Sequence, residues 1–273
     1  MTTDRSGMIT FRGEIADVQA YLARPETDEP RPAVIVIHDI MGLSDHTKDI
    51  ANRFAQQGYV ALAPHLYSRP QLVDVMTPPS IGATLQFLMS LPPERQSDRE
   101  FVREEVAKLP EDQRAIVHQT LPRMFGGIPK DELTQDLVKG IDYLKAQRFV
   151  QADKIGSVGF CFGGGMSLNL ACHAPLAACV VFYGENPTPV EQIKNITGPV
   201  LGLYGAEDTR ISPHLDELVK AIVEYKKDFE MRIYPGAAHA FFNDTNPRAY
   251  REAAARAAWQ QVLAFYRRTL WEE

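Results

Sequence analysis

No stretch of this chain is long and apolar enough to cross a membrane. Its apolar runs stop at strand length, as in Ala33-Val34-Ile35-Val36-Ile37, whereas a helical span needs about 20 apolar residues in a row. Clusters of basic residues are missing too. The 29 Lys+Arg are outnumbered by 35 Asp+Glu, for a formal net charge of -6, which disfavours a phosphate backbone as partner. Neither a nucleic acid nor a membrane is therefore expected as a partner. Cysteine is scarce, 3 in 273 residues, too few for a disulfide framework. The opening Met-Thr-Thr-Asp-Arg-Ser-Gly lacks the apolar core of a signal peptide, so a cytoplasmic location is expected. No His/Cys/Asp/Glu spacing suits a metal cluster, no cofactor is implied, and internal repeats and low-complexity segments are absent.

What is present is an ordinary globular composition, 45% hydrophobic and 23% charged, long enough for one large α/β domain or two small ones. Alternating runs at Met8–Arg12 and Val18–Ala23 suggest an opening antiparallel hairpin. The near-continuous apolar run Ala33–His38 reads as a strand covered on both faces. Ser44–Gly58 follows as an amphipathic helix, capped by Ser44 or Asp45 and ended by Gly58. Further strands are expected at Tyr59–Ala63, Ile155–Phe160, Ala178–Tyr183, Val200–Tyr204 and Met231–Tyr234. Helices are expected at Leu133–Gln147, Ser212–Lys226 and about Pro247–Arg268. Alternating strands and helices predict an α/β fold of about eight mostly parallel strands with helices on both faces.

Between Pro64 and Pro129 no strand is apparent. Helical patterns at Ile81–Leu91, Arg99–Leu109 and Asp112–Phe125 are broken by Pro78-Pro79 and Pro92-Pro93. We read residues 66–129 as a helical insertion within a single domain, placed as a cap above the carboxyl ends of the strands, where open α/β sheets bind ligands. A surface decoration or an oligomer contact is the alternative.

Ile155-Gly156-Ser157-Val158-Gly159-Phe160-Cys161-Phe162-Gly163-Gly164-Gly165 carries the chemistry. It has the form G-x-C-x-G where an apolar strand gives way to a helical pattern. A nucleophile on such a sharp turn needs small residues two positions to either side, because strand and helix backbones approach closely there. The helix N-terminus can favour a thiolate at Cys161, and the Phe162 N–H is placed to donate to a developing oxyanion. A phosphate cradle fits poorly, since neither G-x-G-x-x-G nor G-x-x-x-x-G-K-[ST] matches. Cys172 and Cys179, set among Ala, Leu and Val, read as buried packing residues.

An acid and a base follow. Gly205-Ala206-Glu207-Asp208 ends the strand Val200–Tyr204, and Pro235-Gly236-Ala237-Ala238-His239 follows Met231–Tyr234. The order nucleophile, acid, histidine is that of α/β hydrolases. His239 would handle the thiol proton and Asp208 would orient the ring, with Glu207 as competitor for that role. His38 and Asp39 end the first long strand near the site, and His65 could line a pocket. His46, His118, His173 and His214 read as surface or boundary residues.

On these residues the chain resembles the dienelactone hydrolase (carboxymethylenebutenolidase) family. The resemblance rests on Val158–Gly164, Tyr204–Asp208, Gly236–Phe241, His38-Asp39-Ile40-Met41-Gly42 and Pro64-His65-Leu66-Tyr67. It implies a Cys161–His239–Asp208 triad cleaving a small lactone or ester through a thioester, with Ile40 giving the second oxyanion N–H. It also implies that Asp39, where family members often carry Glu, assists thiol activation. Family enzymes acting on dienelactone hold its carboxylate with arginines, one shortly after the catalytic histidine. Here His239-Ala240-Phe241-Phe242-Asn243 contains none, and Arg69 and Arg123 are the candidates for anion contact. Tyr183 is a further candidate substrate contact. The expected partner is a small-molecule lactone or ester, handled by a monomer or small homo-oligomer.

Overall fold

A computed structural model describes residues 5–96 and 98–271. The first four residues of the stretch read above for a leader lie outside them. Eight strands form one sheet in the order β1-β2-β4-β3-β5-β6-β7-β8. They are β1 (Gly7–Arg12), β2 (Asp17–Ala23), β3 (Arg31–Ile37), β4 (Val60–Pro64), β5 (Val150–Phe160), β6 (Ala178–Phe182), β7 (Val200–Gly205) and β8 (Phe229–Tyr234). β2 pairs antiparallel with both β1 and β4, and every pair from β4 to β8 is parallel.

The apolar run of β3 shows how the layers arise. Successive side chains point to opposite faces of a strand. Ile35 and Ile37 therefore enter one core with Leu133, Leu137 and Ile141 of helix α5 (Lys130–Lys145) and with Met166 and Leu170 of α6 (Phe162–His173). Val34 and Val36 enter the other, with Ile50 and Phe54 of α1 (Asp45–Gln56) and Val262 and Phe265 of α8 (Glu252–Tyr266). A strand buried on both faces has no polar side to show, hence the unbroken apolar run.

Residues 66–129 hold no strand among the described residues. Instead α2 (Pro78–Ser90), α3 (Arg99–Ala107) and α4 (Glu111–Pro122) follow β4. Phe87, Leu88, Leu91, Val102, Val106 and Val117 form a small core of their own, while Leu72, Met76 and Ile81 at the root of the segment join the main one. No helix among the described residues is long and apolar enough to cross a membrane.

Among the boundaries that differ from the sequence reading are those of β5, α7 and α8. β5 begins five residues earlier than the apolar run, because the buried Val150 pairs with Arg31 across a register shift and the mostly polar, partly exposed residues 151–154 continue the strand. α7 is shorter than Ser212–Lys226, spanning Leu215–Glu224 after a single 3-10 turn at Ser212–His214. α8 starts at Glu252 rather than Pro247. Asn243 Oδ1 accepts from the Thr245 N–H at 3.0 Å, and the Arg251 N–H donates to Phe241 O at 3.0 Å. These bonds hold the chain in turns until residue 251, an example of side chain–backbone bonds competing with a helix.

Candidate active site

Cys161 sits between β5 and α6 with φ 56 and ψ -117, a left-handed conformation that a non-glycine residue adopts only where its surroundings enforce it. The enforcement is visible. The Cys161 N–H donates to Phe182 O at 3.0 Å, and Cys161 O accepts from the Gly164 and Gly165 N–H groups at 2.9 and 3.2 Å. A Cβ at Gly159 would lie 1.8 Å from Gly163 O, and one at Gly163 would lie 2.3 Å from Ile37 O. Gly159→Ala is therefore expected to destabilise the fold by about 3 kcal/mol, the upper range for overpacking against unyielding atoms. A drop in the urea midpoint at unchanged m-value would register it, and an unchanged midpoint would contradict the close-approach argument.

The Phe162 N–H, in the first turn of α6, has no hydrogen-bond partner among the described residues. Cys161 itself is partly exposed, whereas Cys172 and Cys179 are buried. Burial pushes the Cys172 thiol up to about 12 and the Cys179 thiol to about 11, which suits the packing role expected of both.

The turns after β7 and β8 bring an acid and an imidazole to this elbow. Asp208 is buried, and its Oδ1 accepts from the Arg210 and Ile211 N–H groups at 3.1 and 3.2 Å. Its Oδ2 lies 2.6 Å from His239 Nδ1. Burial disfavours the Asp208 charge, but His239 and the two amides outweigh it and hold the carboxyl below its ordinary range. At His239 burial likewise opposes the charge. The Asp208 hydrogen bond and the adjacent Cys161 override it and raise the imidazole to about 9. His239 Nε2 is buried on the Cys161 side of the ring and meets no partner of good hydrogen-bond geometry. Glu207 is exposed; its N–H donates to Ala237 O at 2.9 Å, and its carboxylate has no hydrogen-bond partner among the described residues.

The end of β3 closes the site. Asp39 is half-buried, and its Oδ1 accepts from the Met41 N–H at 2.8 Å. Burial raises its carboxyl, while the Met41 amide, His46 and His239 pull it back. No hydrogen bond joins Asp39 to Cys161 among the described residues. The Ile40 N–H is also without a partner among them. The Tyr183 ring packs 5.1 Å from that of His239 and follows β6 with φ 38.

Tyr67 is more informative than its sequence suggested. It is fully buried, its hydroxyl has no partner, and its ring lies 4.9 Å from His38 and 6.1 Å from Phe162. Burial, then the Asp39 and Cys161 charges, push its phenol well above the ordinary value. An orphaned buried hydroxyl carries a desolvation penalty unless a bound molecule answers it. Nothing local in Leu66-Tyr67 signals this, because the neighbours come from β3 and α6.

Two side chains have partners that the sequence does not show. Arg69 is 1% exposed and pairs with Glu132 at 2.5 Å and Asp136 at 3.0 Å. These carboxylates lie against its charge, while its Nη2 is buried with no hydrogen-bond partner among the described residues. His46, expected at the surface or a boundary, sits in the first turn of α1 at 9% exposure, with Nδ1 3.2 Å from Asp244 Oδ1. It also feels Asp39, so it belongs to the acidic surroundings of the site. Arg123 is half-buried and donates to Gly127 O at 3.2 Å, fastening the turn that ends the inserted segment. His118, His173 and His214 are not buried.

A mostly parallel eight-stranded sheet flanked by helices, with a strained residue on the strand-to-helix turn after β5, defines an α/β hydrolase. The fold is shared with the Pyrococcus horikoshii acylaminoacyl peptidase, at TM-score 0.65 and 14% identity, over 99% of this chain and 42% of that one. The model of the Dienelactone hydrolase family matches residues 18–270, so the chain belongs to that family and is a hydrolase of the carboxylic-ester type. A Saccharolobus solfataricus protein provisionally named carboxymethylenebutenolidase is 42% identical over 260 residues, 95% of this chain and 97% of its own length. The crystal structure of a provisionally named dienelactone hydrolase from Klebsiella pneumoniae superposes at TM-score 0.73 with 26% identity, covering 96% of this chain and 97% of that one.

Proposed function

We propose that this protein hydrolyses a small lactone or ester with Cys161 as nucleophile, His239 as base and Asp208 as the residue that orients the ring. The observation that carries the reading is the imidazole of His239, held by Asp208 and turned with Nε2 toward a thiol on a strained elbow. An imidazole whose proton affinity is raised by a carboxylate on one side can take the thiol proton on the other. Sγ then attacks the carbonyl carbon, and the oxyanion accepts from the Phe162 and Ile40 N–H groups. As the C–O bond breaks, the leaving oxygen takes the proton from His239, which opens a lactone ring or releases an alcohol. His239 next deprotonates a water that attacks the thioester, giving a carboxylic acid and restoring the thiol. Asp39 and Tyr67, on the β3 and β4 side of the thiol, complete the polar surroundings.

The intermediate supplies the test. Acid quenching during turnover of an activated aryl ester should leave the acyl mass on the peptide carrying Cys161 and none on those carrying Cys172 or Cys179. Turnover without any acyl-Cys161 at quench times shorter than one catalytic cycle would remove the thioester from the mechanism.

A further inference from the structure

We propose that His38 is a positioning residue for the oxyanion site: its Nδ1–H pins the carbonyl of the Asp39–Ile40 peptide and thereby aims the Ile40 N–H at the developing oxyanion. The proposal rests on the acyl-transfer reading of Cys161 given above and names the group that sets its second donor.

The tautomer follows from the contacts. His38 is fully buried at the end of β3, and its Nε2 lies 3.1 Å from the Leu66 N–H. A backbone amide only donates, so Nε2 is the acceptor and the ring proton resides on Nδ1. That Nδ1–H faces Asp39 O at 2.6 Å. A protonated ring would set an N–H against the Leu66 N–H, and burial pushes the imidazole down to about 3. His38 is thus a neutral donor of fixed direction across the working pH range.

Asp39 C=O and Ile40 N–H belong to one peptide unit, which is trans. In a trans peptide the two bonds point in opposite directions within one plane, so fixing the oxygen fixes the N–H. The Gly42 N–H also donates to Asp39 O, at 3.2 Å, and the Met41 N–H is taken by the Asp39 side chain at 2.8 Å. The amides of residues 41 and 42 are thereby consumed inside the loop, whereas that of Ile40 stays available. A hydrogen bond to the carbonyl also polarises the peptide and makes its N–H a better donor. The other donor is held in register with this one. Gly163, beside Phe162, packs so tightly on β3 that a Cβ would lie 2.4 Å from His38 O.

The competing view is a core histidine that merely satisfies two buried backbone groups. Two near-isosteres separate the contacts. In His38→Asn the side-chain amide nitrogen replaces Nδ1, which keeps the bond to Asp39 O and loses the acceptor for Leu66. In His38→Gln the side-chain oxygen replaces Nε2, which keeps the Leu66 bond and loses the donor. Expected is a fall of about 10²-fold in kcat for aryl-ester hydrolysis by His38→Gln, the usual scale for one lost oxyanion donor, with KM within about two-fold. His38→Asn should stay within about five-fold of wild type in kcat. Iodoacetamide alkylation of Cys161 should proceed at the wild-type rate in both, because that displacement builds no oxyanion. Equal kcat losses in the two variants, or alkylation slowed in step with kcat in His38→Gln, would overturn the proposal.

Two controls complete the design. Cys161→Ala in the same assay separates the levels: if it is inactive while His38→Gln is fully active, only the role of His38 falls, and if it is fully active the underlying acyl-transfer reading falls. Should His38→Gln not fold, the wild-type protein still answers by proton NMR. Its His38 Nδ1–H resonance should move downfield when an aldehyde forms a tetrahedral adduct on Cys161, and an unmoved resonance would overturn the proposal.

Discussion

Cys161→Ala is expected to lower kcat/KM for activated esters by at least about 10⁴-fold while the protein melts within a few degrees of wild type. Removing the nucleophile of a cooperating set forfeits nearly all the catalysis that the set provides, and only oxyanion donors and binding remain. The fold should be indifferent, since the thiol is partly exposed and the elbow is built by Gly159, Gly163 and backbone hydrogen bonds, none of which uses Sγ. Cys161→Ser should be nearly as poor. A serine hydroxyl is far less acidic than a thiol, and an imidazole already raised to about 9 beside Cys161 is matched to a nucleophile that gives up its proton readily. Wild-type ester turnover by the alanine variant, with circular dichroism confirming a native fold, would remove Cys161 from the chemistry.

Legibility in the sequence followed the range of the cause. β3 was readable because burial on both faces leaves a mark inside the strand itself. The elbow was readable because close backbone approach demands glycine at 159 and 163, within two residues of Cys161. Asp208 and His239 were readable as neighbours of the elbow because each ends a parallel strand, and parallel strands deliver their following turns to one edge of the sheet. Effects that cross the fold left no such mark. Arg69 reads as a candidate anion contact with no sign of Glu132 and Asp136, which reach it from α5. His46 reads as a surface or boundary residue, and nothing beside it in sequence announces Asp244. The orphaned hydroxyl of Tyr67 and the locked ring of His38 exist only because β3, β4 and α6 converge. For the same reason β5 reads too short in the sequence: residues 151–154 are mostly polar, and the pairing of Val150 with Arg31 lies beyond them.

Asp208→Asn should lower kcat by about 10³- to 10⁴-fold, and the reason is orientation rather than lost charge alone. Asp208 Oδ1 accepts from two backbone N–H groups, of Arg210 and Ile211, at 3.1 and 3.2 Å. An asparagine must keep its carbonyl oxygen there, because backbone amides cannot turn into acceptors. Its NH₂ then faces His239 Nδ1, which has to accept, so the ring proton moves to Nε2 on the Cys161 side. That tautomer cannot take the thiol proton, the same logic by which an Asp-to-Asn change disables a serine triad by about 10⁴-fold. Glu207→Gln, at an exposed carboxylate, should change kcat less than about two-fold. Stability carries an independent signature. The folded state raises His239 from 6.5 to about 9, so the protein takes up a proton on folding between those values. The stabilisation is fully present below about pH 6.5 and is lost as pH rises through about 9, at most about 3 kcal/mol. The depressed carboxyl of Asp208 reports the same contact from its other end and is not a second contribution. Urea midpoints at pH 6, 7.5 and 9 should fall with rising pH in wild type and fall much less in Asp208→Asn. Parallel pH slopes in the two proteins would show that Asp208 does not hold the His239 proton.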